Sequence, residues 1–181
     1  MSDRIRQPAL APPPIRPAVP RDDDPSAFLA AHYTKVWQER MRELPFINPA
    51  LSVDTIGFIR HDGDWLGVVV TPWFLNLFLL NGGGHLWGDI PAGERRYLNL
   101  PCGTLQFIAD DDPEIGPYQY CPLIAPVDHL PDMASARQAA VDAMQALISQ
   151  PPPPLAEPAT PPEPPAPVSR RGFFRRLAGK R

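Results

Sequence analysis

The sequence has few of the residues on which metal sites and disulfide frameworks depend. Its 181 residues include 2 cysteines, Cys102 and Cys121, and a proline stands beside each of them. Two such cysteines supply neither the spacing of metal ligands nor a disulfide framework, so we expect free thiols. The histidines lie far apart in the chain, at His32, His61, His85 and His129. We therefore expect the protein to hold no metal ion and no cofactor.

Long apolar segments are also missing. The first ten residues, MSDRIRQPAL, lack the apolar core of a secretion signal. No later segment approaches the roughly 20 apolar residues that are needed to span a bilayer. We therefore expect a cytoplasmic protein.

The usual groups of an active site are not evident either. Cys121 has no basic neighbour in the sequence that would activate its thiol. The carboxylates of Asp110, Asp111 and Asp112 are followed by Pro113 and lack the alternating oxygen ligands of a calcium loop. Because neither a nucleophile with its base nor a metal cluster is found, we predict that the protein is not an enzyme and acts by binding.

Proline, by contrast, is abundant and unevenly placed. Of the 27 prolines, seven lie in residues 1–25 and ten in residues 151–167. A segment so poor in large apolar groups cannot offset its ordering entropy, so residues 1–25 are predicted to form a disordered arm. Residues 151–168 are predicted to form an extended proline-rich spacer. The folded domain is then residues 26–150, and residues 169–181 form a basic tail.

Charge is distributed in the same way. The domain carries seven Lys and Arg against fourteen Asp and Glu, whereas the last thirteen residues, SRRGFFRRLAGKR, carry six basic residues and no acidic one. An acidic domain repels nucleic acid, so we expect no such partner. The basic tail on a semi-rigid spacer favours electrostatic contacts with the domain or with a partner.

The pattern within residues 26–150 predicts helix, antiparallel strands and helix, in that order. Apolar residues spaced three and four apart predict a helix that starts at the N-cap Asp24 and stops before Pro45. A second amphipathic helix is predicted over residues 132–149. Strands are predicted over residues 53–59, 65–71, 77–80, 96–100, 104–109 and 118–125.

Turns join these strands into hairpins. His61 to Asp64 reads as one hairpin turn and Pro101 to Gly103 as another, while Pro122 and Pro126 place the last strand at an edge of the sheet. The predicted fold class is α+β, a two-layer sandwich in which an antiparallel sheet of about five strands is flanked by N- and C-terminal helices.

The stretch PWFLNLFLL, residues 72–80, has one strongly polar residue, Asn76. So apolar a stretch is either a buried strand or a surface for a partner, and its periodicity does not decide between them. Pro72 is expected to turn the chain and to leave Trp73 and Phe74 at a bend.

Three stretches together resemble one known family. They are LPFINPALSVDTIGF (44–58), WLGVVVTPWFLNLFLL (65–80) and GTLQFIADDDPEIGPYQYCPLIAPV (103–127). Their order and spacing are similar to those of NiFe-hydrogenase assembly chaperones of the HybE/HupJ type. On this pattern fall Pro72, Trp73, Asn76, Cys121 and Pro126.

The resemblance implies a non-enzymatic cytoplasmic chaperone with a fold like that of secretion chaperones. Its expected partner is the iron-sulfur small subunit of a hydrogenase in its precursor form, with the large subunit and other accessory proteins as further candidates. The rival interpretation is a scaffold protein that recruits partners through its proline-rich ends. The residues predicted to bind a partner are Pro72, Trp73, Phe74, Asn76, Tyr118 and Cys121.

The tail resembles the twin-arginine signal that such a client carries. Arg170 and Arg171 are followed by Phe173 and Phe174. We hypothesise that the tail occupies the chaperone's own binding surface until a client displaces it. Two alternatives are weak contact with an anionic membrane surface and an inert tail. The predicted acceptors of the arginines are Asp110, Asp111, Asp112 and Glu114.

Overall fold

The structure, a computed structural model, describes residues 14–149 and contains two helices flanking one sheet. Helix α1 spans Ser26–Val36 and continues as a short π-helical turn, Trp37–Met41. Helix α2 spans Met133–Ile148. The strands are β1 (Asp54–His61), β2 (Asp64–Val70), β3 (Leu75–Leu80), β4 (Arg95–Leu100), β5 (Gly103–Asp112) and β6 (Gly116–Ile124).

Polar side chains mark the starts of both helices. At α2, the Asp132 carboxylate accepts the Ser135 N–H at 2.7 Å, and this bond lowers the pKa of Asp132. At α1 the N-cap is Pro25, one residue later than predicted, and Asp24 Oδ1 accepts the Ser26 N–H at 2.8 Å. Both predicted helices are therefore confirmed, with the first ending before Pro45 as expected.

The strands form one antiparallel sheet in the order β1-β2-β3-β6-β5-β4. The α+β class is confirmed, with six strands where about five were predicted. In the β1–β2 hairpin, His61 pairs with Asp64, and the two turn residues Asp62 and Gly63 have φ of 49° and 89°. Two left-handed residues match the right-handed twist of the strands, which is why Asp-Gly is favoured at this turn.

The two helices lie on opposite faces of the sheet, so the predicted two-layer arrangement differs from the observed one. Leu66, Val68, Leu77 and Leu79 cluster with Ala136, Ala140 and Met144 of α2. The alternate residues Trp65, Val69, Phe78 and Leu80 cluster with Leu29 and Tyr33 of α1. Because successive side chains of a strand point to opposite faces, β2 and β3 are buried on both.

Strand β6 lies inside the sheet, so the prediction of an edge strand from its prolines is wrong. It pairs with β3 on one side and with β5 on the other. The pairing with β5 covers Gly116 to Tyr120, and Pro122 follows that segment. The strand accommodates a residue without an N–H because the pairing with β5 has already ended.

The described part of the predicted disordered arm, residues 14–25, is held against the domain, so that prediction is wrong for these residues. The Arg21 N–H donates to the Asn81 carbonyl at 2.8 Å, and the Trp65 indole N–H donates to the Arg21 carbonyl at 3.0 Å. Arg16 pairs with Asp111 at 2.9 Å. Composition alone missed these bonds because they are made by the backbone and by single side chains.

One buried carboxylate fixes the loop that follows β3. Asp64 is fully buried and accepts four backbone N–H groups, from Gly82, Gly84, Leu86 and Trp87, at 2.8 to 3.0 Å. Four donors replace the water that the carboxylate loses on burial.

Among residues 14–149, no helix is long and apolar enough to cross a membrane.

Candidate functional site

An open cleft of about 220 Å³ lies on the face of the sheet that α1 only partly covers. Its walls are contributed by α1, β5, β6 and the segment 74–78. The lining residues are Tyr33, Phe74, Asn76, Phe78, Asp110, Tyr118 and Tyr120. Residues of β3 and β6 recur here at every second position, because alternate side chains face the same side.

Aromatic rings form the walls of the cleft. The rings of Phe78 and Tyr118 stack with centroids 5.1 Å apart, and Tyr33 meets Phe74 edge-on at 5.3 Å. Offset stacking and edge contacts are the favoured geometries of aromatic pairs, and several such pairs hold one another in place. The cleft is thus a preformed aromatic surface.

The bend before β3 sets the position of the outermost rings. Thr71 Oγ1 accepts the Phe74 N–H at 2.9 Å, and the Thr71 N–H donates to the Phe74 carbonyl at 2.8 Å. Pro72 is buried in this bend, and its carbonyl accepts the Asn48 N–H at 2.8 Å. Trp73 and Phe74 are left partly exposed. The predicted bend is confirmed.

Two polar groups lie among the rings. The Tyr118 hydroxyl donates to Asp110 Oδ2 at 2.8 Å. Burial raises the pKa of Tyr118 above its ordinary value, and the nearby charge of Asp110 adds to this effect; burial also raises the pKa of Tyr33. Asn76 is 7% exposed, and its Oδ1 has no hydrogen-bond partner among the described residues.

The acidic turn is divided between the cleft and other partners. Of the four predicted acceptors of arginine, Asp110 alone lines the cleft. Asp112 and Glu114 flank the buried His32, at 3.4 and 3.3 Å, and Glu114 also pairs with Lys35 at 2.8 Å. Asp111 pairs with Arg16, so three of the four carboxylates already lie within ion-pair distance of a basic side chain of residues 14–149.

The predicted binding residues are also divided. Phe74, Asn76 and Tyr118 line the cleft, and Trp73 packs at its rim, 5.7 Å from Phe74 between ring centroids. Cys121 lies on the opposite face, in the cluster that contains α2, and burial raises the pKa of its thiol. It therefore lies apart from the other predicted residues, because an odd position in β6 faces away from the cleft.

Sequence reasoning missed Tyr33, Phe78 and Tyr120. Tyr33 is buried against the sheet, yet its ring also forms a wall of the cleft. The usable pattern is the spacing of two that links Asn76 to Phe78 and Tyr118 to Tyr120. Within the described residues, no group of three His, Cys, Asp or Glu side chains is arranged to hold a metal ion. The predicted tail residues Arg170, Arg171, Phe173 and Phe174 lie outside residues 14–149.

Comparison with known proteins places this fold among hydrogenase expression and formation proteins. The chain is 33% identical over 156 residues to the protein HoxT of Cupriavidus necator, covering 78% of this chain and 84% of that one. It is 34% identical over 158 residues to the hydrogenase expression/formation protein HupT of Azotobacter chroococcum, covering 83% and 94%. A HupJ relative of Rhodobacter capsulatus is 37% identical over 103 residues, but the chain spans 37% of its length.

A solved structure and a family model agree with these relatives. The solution structure of HybE from Escherichia coli superimposes with a TM-score of 0.59 at 25% identity, covering 81% of this chain and 91% of that one. The family model for the [NiFe]-hydrogenase assembly chaperone HybE matches residues 24–176. The chain belongs to this family of assembly chaperones, as the resemblance noted in the sequence implies.

Proposed function

We propose that the protein binds the precursor of the iron-sulfur small subunit of a NiFe-hydrogenase, in the cytoplasm and before export. Membership of an assembly-chaperone family supports a hydrogenase subunit as the partner. The choice of the small subunit is supported by the acidic, aromatic character of the cleft, since the signal of that subunit joins arginines to large apolar residues.

The observation that carries the proposal is the partly exposed aromatic bend beside an open cleft. Trp73 and Phe74 are partly exposed, although each packs against the buried ring of Tyr33. Aromatic side chains that are held rigid and left accessible contribute most strongly to binding surfaces, because little conformational entropy is lost on contact. The protein thus works by reversible binding, without chemical turnover.

Capture of the precursor tests this function. The tagged full chain is mixed with small-subunit precursor, and the bound fraction is measured for the wild type, Trp73→Ser and Phe74→Ser. We expect each variant to retain its circular dichroism spectrum and to capture at least about tenfold less precursor, since exposed aromatic anchors contribute 1 to 2 kcal/mol or more. The matched control is Val141→Ser, on the α2 side, where the valine is 38% exposed.

Three outcomes would contradict the proposal in different ways. If the wild type captures no precursor, the function is wrong. If Trp73→Ser and Phe74→Ser capture as much precursor as the wild type does, the binding surface is assigned wrongly. If both variants unfold, Trp73 and Phe74 belong to the core and the site assignment fails.

The tail supplies a second part of the proposal. Residues 169–181 carry the same combination of arginine and phenylalanine as the client, on the same chain as the cleft. A tethered segment competes at an effective concentration near the millimolar range. Replacing Arg170, Arg171, Phe173 and Phe174 by serine should therefore tighten binding of precursor. Unchanged affinity at several salt concentrations would contradict this competition, and flotation with anionic vesicles tests the membrane alternative.

A further inference from the structure

The feature of the cleft that the fold does not explain is the side chain of Asn76. It is 7% exposed and lines the cleft, and its Oδ1 has no partner among residues 14–149. A buried acceptor without a donor destabilises the fold, whereas a leucine of similar size would bring no such cost. The next residue of β3 that faces the cleft is the apolar Phe78, so this face of the strand does not require an amide. Asn76 is thus better explained by a ligand than by folding.

The groups around Asn76 define what that ligand must be. Asp110 places a carboxylate in the same cleft, where Tyr118 Oη–H binds Oδ2 and the Asp111 N–H binds Oδ1 at 2.9 Å. A carboxylate has about four lone-pair sites, so acceptor capacity remains on both oxygens. The two side chains therefore offer acceptors in the aromatic cleft from β3 and β5, the two strands that flank β6.

The cleft suits a planar cation better than a compact one. Guanidinium carries five N–H donors in one plane and stacks on aromatic rings, whereas ammonium is a strongly hydrated point charge. The walls here are the rings of Tyr33, Phe74, Phe78 and Tyr120. An anionic ligand is disfavoured by Asp110, and an apolar one would leave the Asn76 acceptor unsatisfied.

The positive groups nearby do not fill the cleft. Arg95 pairs with Ile108, which in turn pairs with Tyr120, so Arg95 lies two strands away from Tyr120 along one row of the sheet. Its charge opposes the rise in the pKa of Tyr120, which burial causes. Lys35 is engaged by Glu114, outside the lining residues. No basic side chain among residues 14–149 lines the cleft, so the arginine that fits comes from outside these residues.

We propose that this cleft is a receptor for the guanidinium group of a single arginine, bound by Asn76 and Asp110 and stacked between aromatic rings. The inference rests on the proposed function for the identity of the polypeptide, which would be the twin-arginine signal of the client. The recognition of guanidinium itself rests on the cleft.

The test compares peptides that differ in this one group. The probe is Ac-SRRGFFRR-amide, the sequence of residues 169–176, together with versions in which every arginine is lysine or citrulline. Affinities are measured by calorimetry with full-length chain in which all five tail arginines are replaced by glutamine, which removes the competing tail arginines; the changes are Arg170→Gln, Arg171→Gln, Arg175→Gln, Arg176→Gln and Arg181→Gln. We expect the arginine peptide to bind about tenfold more tightly than the lysine peptide, and the citrulline peptide to bind least.

Variants of the cleft then assign the effect. Asn76→Leu should abolish the preference for arginine over lysine while leaving the thermal midpoint equal to or above that of the parent, because an unsatisfied buried amide is removed. Asp110→Asn should weaken the arginine peptide by about tenfold. Gln138→Leu, on the exposed surface of α2, is the matched control and should change neither property.

The possible results separate this inference from the proposed function. Equal affinity for the arginine and lysine peptides overturns the receptor for guanidinium, even where precursor is still captured. If the preference for arginine remains in both Asn76→Leu and Asp110→Asn, the arginine is recognised outside the cleft, and the proposed receptor is also overturned. If the preference is found and lost as expected but no precursor is captured, the receptor stands and the proposed client is wrong.

Discussion

The two faces of the sheet use similar apolar residues for different ends. On the α2 face, Leu66, Val68, Leu77 and Leu79 are each at most 1% exposed. On the α1 face, the aromatic cluster of Tyr33, Phe78 and Tyr118 is also buried, but Trp73, Phe74 and Tyr120 at its border are not. One face is thus closed by self-packing, and the other retains ring surface for a partner. Strand β3 is therefore buried within the sheet, while the bend at its N-terminal end, with Trp73 and Phe74, can contribute to a binding surface.

Truncation of one aromatic residue on each face should give the largest contrast. Phe107 is fully buried in the cluster on the α2 face, and Phe107→Ala should lower the free energy of unfolding by about 3 to 5 kcal/mol. Trp73→Ala should cost less than half of that, because its ring is partly exposed. Urea unfolding followed by circular dichroism measures both values.

This contrast fails in one informative way. Equal losses for Phe107→Ala and Trp73→Ala would mean that the bend is as much a part of the core as β5, and the distinction between the two faces would disappear. Capture of precursor should show the reverse order, with Trp73→Ala the more damaging variant once both proteins are measured well below their unfolding midpoints.

Two buried polar side chains sharpen the comparison. Asp64 satisfies its carboxylate with four backbone donors, whereas Asn76 leaves its Oδ1 without one among the described residues. Asp64→Asn removes the charge from these bonds and turns an N–H₂ donor toward other N–H groups. We expect it to lower the free energy of unfolding by about 2 to 4 kcal/mol, measured by urea unfolding. A loss below about 0.5 kcal/mol would show that the loop 82–87 is held by other contacts.

The sequence predicts the elements well and their layering poorly. Helix α2 and the hairpin at Asp62-Gly63 follow from local spacing and turn chemistry, so both are found as expected. The placement of β6 inside the sheet depends on its pairing with β3, which is distant in sequence, and Pro122 argued against it. The opposite placement of the helices likewise depends on which side chains of each strand face α1 and α2, and local pattern does not fix this.

The site was predictable in the same uneven way. Trp73 and Phe74 are marked by Pro72 in the sequence, and Asn76 by its isolation in an apolar run. Cys121 was grouped with them through family resemblance, which carries no information about the face of a strand. Tyr120 joins the cleft because β6 pairs with β3, so that it stands opposite Phe78. Such long-range pairing is what the sequence did not supply.

Alkaline pH should probe the buried tyrosines of the α1 face. Burial raises the pKa of Tyr118 and of Tyr33, so both stay protonated in the fold after they ionise in the unfolded chain. Their stabilising contribution is complete below the ordinary tyrosine pKa of about 10 and is lost as the pH rises above it. Each tyrosine adds a decline of about 1.4 kcal/mol per pH unit.

Tyr118→Phe should therefore remove one such decline between pH 10 and 11, as measured by urea unfolding at fixed pH values. At neutral pH the same variant loses one hydrogen bond, to Asp110, worth about 1 kcal/mol. Tyr97→Phe is the matched control, since Tyr97 is 67% exposed, and it should leave the decline unchanged. If Tyr118→Phe and Tyr97→Phe behave alike, the cleft is wetter than its packing indicates.

The smallest effect is expected at the acidic turn outside the cleft. The hydrogen bond from Lys35, followed by that from His32, lowers the pKa of Glu114. A carboxyl group with a lowered pKa stabilises the fold above its ordinary pKa, which is about 4.5 for Glu114, and the contribution is lost as the pH falls below that value. Because the side chain is 51% exposed, Glu114→Gln should shift the thermal midpoint at pH 7 by less than about 2 °C. It should also slightly flatten the fall of the midpoint in acid.

In the peptide assay, Glu114→Gln should leave the preference for arginine over lysine intact, whereas Asp110→Asn should weaken arginine binding. A loss of that preference in Glu114→Gln would move the receptor from the cleft to the turn, because it would show that the exposed carboxylates, and not the aromatic walls, select the ligand.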